Sequence, residues 1–117
     1  MQKIYSLKKL NEIGQGDEKF VHDMLVTFVE NVTSSIEHVK PLKLEENWVG
    51  IAEIAHKLAS NFAYLDSDSL LAISKDIENS VLNEKNLTGI ADKTDKLCNS
   101  AGLLVEQLKE DFDFLCT

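Results

Sequence analysis

From Trp48 to Leu65 the apolar residues recur in steps of three and four, a spacing that only one kind of element can use. Projected at about 100° per residue, Trp48, Ile51, Ala55, Leu58, Phe62 and Leu65 fall on one stripe. That stripe is the core face of an amphipathic helix. His56 lies well off it. The neighbours of His56 on its own face are Ala52, Ala59, Ser60 and Ala63, at i−4, i+3, i+4 and i+7. Solvated helix faces are usually filled by Glu, Lys and Gln. An imidazole ringed by small side chains is instead open to another macromolecule at both edges.

The same period governs the rest of the chain. Ile4, Leu7, Leu10 and Ile13 predict a short helix over residues 6–13, broken by Gly14-Gln15-Gly16. Asp17 is an N-cap candidate for a second helix over residues 17–40. Its inward row is Val21, Leu25, Phe28, Val32, Ile36 and Val39, with Met24 widening the stripe. Pro41 predicts its end, because proline disfavours helical geometry at Lys40 and has no N–H to donate. Residues 42–47 then read as a loop, with Asn47 a cap for the histidine helix over residues 47–65.

Asp66-Ser67-Asp68-Ser69 is a cluster of cap formers and predicts a turn. The next helix, residues 67–82, carries Leu70, Ile73, Ile77 and Val81 inward and stops near Asn83-Glu84-Lys85-Asn86. A last helix over residues 87–114 carries Ile90, Thr94, Leu97, Ala101, Leu104, Leu108 and Leu115 as a bundle-type seam, interrupted by Asp111. There is no strand pattern, internal repeat or low-complexity segment. The expectation is a single all-α domain over residues 1–117. It is an up-down-up-down antiparallel four-helix bundle with a short additional N-terminal helix, since short connections make neighbours antiparallel.

Composition narrows the function classes. With 12 basic against 20 acidic residues the net charge is −8, which leaves no surplus to neutralise nucleic-acid phosphates. Cys98 and Cys116 have no metal-type spacing, and reduced thiols in a cytosolic protein are expected. No apolar run reaches membrane-spanning length, and Met1-Gln2-Lys3-Ile4-Tyr5 lacks the apolar core of a secretory signal. The chain reads as cytoplasmic, with neither nucleic acid nor membrane as a partner.

The residues Ala55-His56-Lys57-Leu58, then Phe62-Ala63-Tyr64-Leu65, then Leu70 and Ile77-Glu78, resemble a histidine-containing phosphotransfer (HPt) domain. Upstream, Leu10-Asn11-Glu12-Ile13, Gly16-Asp17-Glu18-Lys19-Phe20, Met24-Leu25 and Phe28 are similar to the entry of such domains into their first long helix. The resemblance implies a phosphorelay intermediate of two-component signalling. His56 would accept a phosphoryl group from the aspartyl phosphate of a receiver domain and pass it to another receiver. It further implies response-regulator receivers and a hybrid sensor kinase as partners, no cofactor of its own, a metal ion brought by the receiver, and a monomer. The family usually has a lysine three residues after the histidine and a glycine four after; here stand Ala59 and Ser60. Serine keeps the approach open. The lysine's positive charge is missing, and Lys57, about a quarter turn away, is the candidate to reach back.

The chemistry suits the residue. A neutral imidazole, of ordinary pKa about 6.5, has an unprotonated ring nitrogen that attacks an acyl phosphate without a strong base. Phosphoryl transfer asks mainly for positioning and charge stabilisation. This chain would supply a presented nucleophile, through Nε2, and a flat docking surface of Ala52, Ala59, Ser60 and Ala63. By position the resemblance makes Glu78 the polar side chain that orients the other ring nitrogen; a solvated glutamate is the competing reading. Lys75, one turn earlier, reads as a surface residue.

His22 and His38, flanked by Glu18 and Glu37, read as surface ion pairs rather than metal ligands. Cys98, Trp48 and Phe28 read as packing residues, and Glu106, Lys109 and Glu110 as a solvated face. A binding module that docks a receiver or a helix through the same face, with His56 no longer phosphorylated, is the rival function. It is kept open by Ala59. A metal-dependent catalytic bundle would need inward Glu-x-x-His pairs, which the sequence lacks. The initial Met1 and the lack of a linker-like tail favour a free-standing protein over a domain of a larger sensor kinase.

Overall fold

The computed structural model describes residues 3–83 and 87–116, without the side chains of Leu87 and Cys116. The expected helix stop at Glu84-Lys85-Asn86 and the thiol of Cys116 lie outside the described residues. Five α-helices follow one another: α1 Lys8–Gly14, α2 Glu18–Leu44, α3 Trp48–Tyr64, α4 Asp68–Leu82 and α5 Ile90–Asp111. Short 3-10 segments occupy Leu87–Gly89 and Asp113–Cys116. No strand occurs among the described residues. The long helices pack compactly, α2 with α3, α3 with α4, α4 with α5 and α5 back on α2, and α1 lies against α2. Leu10, Leu25, Phe28, Ile51, Phe62 and Leu104 are among the side chains buried between them.

Local chemistry sets the helix starts. The Asp17 carboxylate accepts hydrogen bonds from the backbone N–H groups of Lys19 and Phe20, satisfying two donors that the first turn of α2 leaves free. Asn47 does the same for α3, its Oδ1 accepting from the Gly50 N–H at 3.0 Å. Where α1 stops, Gln15 (φ 52°) and Gly16 (φ 84°) turn the chain through the left-handed region, which suits Gly16 at no steric cost.

Two expected boundaries differ from the observed ones. Helix α2 does not end before Pro41 but runs through it to Leu44. Pro41 sits in the last turn on the exposed side, where water can take the carbonyl that its missing N–H leaves unpaired. The turn beyond is anchored, because half-buried Leu42 packs against the core and reaches Gly50 at the start of α3. The bond from Asn47 N–H to the Leu42 carbonyl, 2.8 Å, closes this end. Helix α5 is shorter than expected, Ile90–Asp111 rather than residues 87–114, because Phe112 is extended (φ −133°, ψ 101°). Leu115 is still buried, from the 3-10 segment.

The inward row of α4 also differs. Leu70, Ser74, Ile77 and Ser80 are buried, whereas Ile73 and Val81 are only half-buried. Helices α3 and α4 share the most extensive contact among the described elements. Ser80 accepts a hydrogen bond from Lys93 at 3.1 Å. The hydroxyls of Ser74 and Ser67 are buried with no partner among the described residues. Such a group costs about 1–3 kcal/mol relative to a satisfied one.

The N-terminal strap is fastened by two of its main-chain N–H groups, Ser6 donating to the Leu65 carbonyl at 2.8 Å and Ile4 to the Gln107 side-chain Oε1 at 3.0 Å. Its ionic clamp is Asp111, which bonds Lys3 at 2.8 Å and the Tyr5 hydroxyl. Lys3 and Tyr5 hold the Asp111 carboxyl below its usual range. Burial, then the bond to Asp111, pushes the Tyr5 hydroxyl well above its own. A carboxyl whose folded pKa is depressed contributes stability above its unfolded value and loses it as pH falls through the folded value. The clamp therefore holds at neutral pH and opens in acid.

Two measurements check this description. Ser74→Ala removes an unpartnered buried hydroxyl and should raise the unfolding free energy by about 1 kcal/mol in urea titrations; a loss of that size would mean the hydroxyl is satisfied. The Tyr5 ring resonances should shift as pH falls below about 4 and should already sit near the acid position at neutral pH in Asp111→Asn. Tyr5 shifts that ignore both changes would rule the clamp out.

Candidate functional site

His56 lies mid-way along α3, opposite the buried row of Ile51, Ala55, Leu58, Phe62 and Leu65. Five anchors on one side fix the rotational phase of the helix, so the imidazole is carried outward on a rigid backbone. Its side chain is 73 % exposed. Asn61 is the polar member of the buried side, and its Nδ2 donates to the Lys57 carbonyl at 3.3 Å.

Glu78 on α4 meets the ring. Its Oε1 lies 2.5 Å from His56 Nδ1, and its side chain is 33 % exposed. An ionised carboxylate can only accept, so Nδ1 is the donor. In the neutral ring the lone pair is then left on Nε2, and Nε2 is the nitrogen available to an electrophile. A short bond to an ionised acceptor is among the stronger hydrogen bonds. It also fixes the ring plane, with no other chain needed.

Two concavities flank the ring in the seam between α3 and α4. The first, of about 550 Å³, is lined by Val49 and Ala52 from α3 and by Val81 and Leu82 from α4, with Glu53 beside them. It is strongly apolar, with Val49 63 % and Leu82 78 % exposed. The second, of about 460 Å³, is lined by Ala59, Ser60 and Ala63 from α3 and by Leu71 and Lys75 from α4. Ala52 thus lies on one side of His56, and Ala59, Ser60 and Ala63 lie on the other. The Ser60 hydroxyl is turned onto its own helix, donating to the Lys57 carbonyl at 3.0 Å.

Lys57 is exposed and borders both concavities. It also borders a third groove, toward Asn31 and Ser34 of α2. Its charge is therefore shared between the face that holds His56 and the face next to it.

Sequence reasoning did not place six lining residues at the site: Val49, Glu53, Leu71, Lys75, Val81 and Leu82. Val49 stands seven before His56. Leu71, Lys75 and Leu82 stand seven before, three before and four after Glu78. Once Glu78 is placed against the ring, the 3.6-residue period brings these side chains to the same face. Val81, read as inward, lines the apolar concavity instead.

The remaining candidates lie elsewhere. His22 stacks on Phe114 with ring centroids 3.9 Å apart, and its Nδ1 is 3.4 Å from Asp23 rather than paired with Glu18. The Lys19 ammonium, then His22, hold the Asp23 carboxyl below its usual range. His38 is exposed, and its neighbour Glu37 pairs with Lys40 at 3.7 Å. Cys98 is a half-buried free thiol, pushed up by burial first and by the nearby Asp95 next. Phe28 is buried and stacks with Tyr64, whereas Trp48 is half-buried. Among the described residues no group of three or more His, Cys, Asp and Glu side chains could hold a metal ion, and no helix is long and apolar enough to cross a membrane.

The Glu78 bond has a spectroscopic signature. At a pH where the ring is neutral, ¹⁵N shifts of His56 should show Nδ1 protonated and Nε2 bare. Glu78→Ala should release the ring to a mixture of tautomers. A wild-type ring already protonated on Nε2 would mean that Glu78 does not set the tautomer.

The chain matches no family model, and no curated protein or solved structure is similar enough to it to count as a match.

Proposed function

We propose that this chain is a phosphorelay intermediate in two-component signalling, of the histidine-containing phosphotransfer kind, in which His56 carries the phosphoryl group between receiver domains. The observation that carries the reading is a solvent-facing imidazole on a rigid helix, its Nδ1 bonded at 2.5 Å to a carboxylate of the neighbouring helix. Small side chains lie in the concavity beside it. A group that hands phosphate between proteins needs just this exposure, since the phosphorylated aspartate of a partner must reach the ring.

The attack is chemically complete. The Nε2 lone pair forms the bond to phosphorus while the P–O bond of the acyl phosphate breaks, and the leaving carboxylate takes the electron pair. The ring becomes an imidazolium, which the Glu78 carboxylate stabilises through Nδ1–H. The reverse step regenerates the neutral ring and loads the next receiver. This chain holds and presents the phosphoryl group without turnover of its own. The receiver brings its own metal ion, and a hybrid sensor kinase stands upstream.

We place α2 to α5 in an up-down-up-down antiparallel bundle, with α1 as the additional N-terminal helix. The cyclic packing of α2, α3, α4 and α5 supports this arrangement. A cytoplasmic monomer fits the role. The apolar concavity of Val49, Ala52, Val81 and Leu82 next to His56 suits a receiver's docking face.

A second reading has one observation in its favour. Ala59 stands where the resembled family has a lysine, so a docking module that binds a receiver without taking its phosphate is the alternative. Incubation with a phosphorylated receiver separates the two. The relay predicts acid-labile, base-stable phosphate on the wild-type chain and none on His56→Gln. A chain that binds the receiver yet stays unlabelled would be the docking module.

A further inference from the structure

The concavity that holds the small residues is bordered on its α4 side by a lysine that forms no ion pair with any described residue. Lys75 lies on α4, one turn before Glu78, and borders the same space as His56, Ala59 and Ser60. It is exposed, and it makes no hydrogen bond or ion pair with any described residue. That sets it apart from most of its kind. Lys3, Lys9, Lys19, Lys40, Lys43 and Lys93 each lie within 4.0 Å of a carboxylate. Even the residue after it, Asp76, is taken by Lys93 at 3.1 Å.

A phosphoryl group brings close to two negative charges at neutral pH. In this seam it would sit beside Glu78, a third negative charge already bonded to the ring. Ala59 and Ser60 offer nothing positive, and the Ser60 hydroxyl is engaged with the Lys57 carbonyl. Lys57 is divided between this space and the groove toward α2. Lys75, an unpaired ammonium on a flexible stem that borders the same concavity as the ring, is the group best placed to meet the new charge.

We propose that Lys75 binds the phosphoryl group on His56, supplying from α4 the positive charge that Ala59 cannot supply from α3. This rests on the phosphorelay reading and adds to it a phosphate-contacting residue on the opposite wall of the seam. The charge balance also explains why a carboxylate is tolerated next to the ring. Glu78 stabilises the imidazolium at Nδ1, and Lys75 offsets its repulsion of the phosphate.

The test uses phosphoramidate, which needs no receiver. Its P–N bond breaks, ammonia leaves with the electron pair, and the Nε2–P bond forms. Initial rates of phosphohistidine formation would be compared for the full chain, Lys75→Met, Lys75→Arg and the double variant Lys75→Met/Ala59→Lys. Lys75→Met should slow the reaction about three- to tenfold, Lys75→Arg should retain most of the rate, and Ala59→Lys should restore what Lys75→Met loses. In ³¹P titrations of the phosphorylated protein, the phosphoryl group should take up its proton at higher pH in Lys75→Met than in wild type. Wild-type rates and an unmoved ³¹P titration in Lys75→Met would overturn the role of Lys75 while leaving His56 as the carrier. A slowed variant that Ala59→Lys does not rescue, with the ³¹P titration unchanged, would also overturn it, as a structural effect. No phosphate on wild-type His56 would bring down the phosphorelay reading and this inference together.

Discussion

Burial of one stripe of α3 is the constraint on which the rest of the site depends. Ile51, Ala55, Leu58, Phe62 and Leu65 are all within the core, and a helix with five such anchors cannot rotate about its axis. Each large member contributes on the order of 1.5–3 kcal/mol of apolar burial, so a rotation exposing the row would cost an amount comparable to a domain's whole margin of stability. The position of His56 follows from this. The ring is held outward by side chains on the other side of the helix.

Phase places the ring, and the packing of α4 against α3 orients it. Helix α4 packs more extensively on α3 than on any other described element, and Glu78 falls opposite Nδ1. The choice of a carboxylate there has a chemical consequence. An amide could fix the tautomer equally well, but an ionised acceptor would stabilise a ring made positive by phosphorylation more strongly than a neutral one. On the proposed phosphorelay the same charge would repel an incoming phosphate, and positive charge would be wanted from another wall of the seam. Lys57 and Lys75 border the space where that charge is wanted.

The parts legible in the sequence were those written in local chemistry. Asp17 and Asn47 cap helices because a short polar side chain precedes a periodic apolar run, and the α3 stripe follows directly from the spacing of Ile51 to Leu65. The passage of α2 through Pro41 was not legible. It depends on Leu42 packing against the core across a turn that the local sequence does not describe. The α4 row was misread for a related reason. Ile73 and Val81 are the more hydrophobic residues, yet Ser74 and Ser80 are the buried ones, with Ser80 bonded to Lys93 of α5. Lys75 and the apolar concavity of Val49, Val81 and Leu82 belong to neither helix alone, so no single-helix projection could reveal them.

On the proposed phosphorelay the bond from His56 Nδ1 to Glu78 leaves Nε2 as the nucleophile. The most direct test is the regiochemistry of the phosphorylated chain, read from ¹⁵N–³¹P coupling in protein labelled at histidine. The predicted result is phosphorus bonded to Nε2 of His56, with Nδ1 still carrying its proton toward Glu78. Phosphorus on Nδ1, or on any other residue, would contradict it.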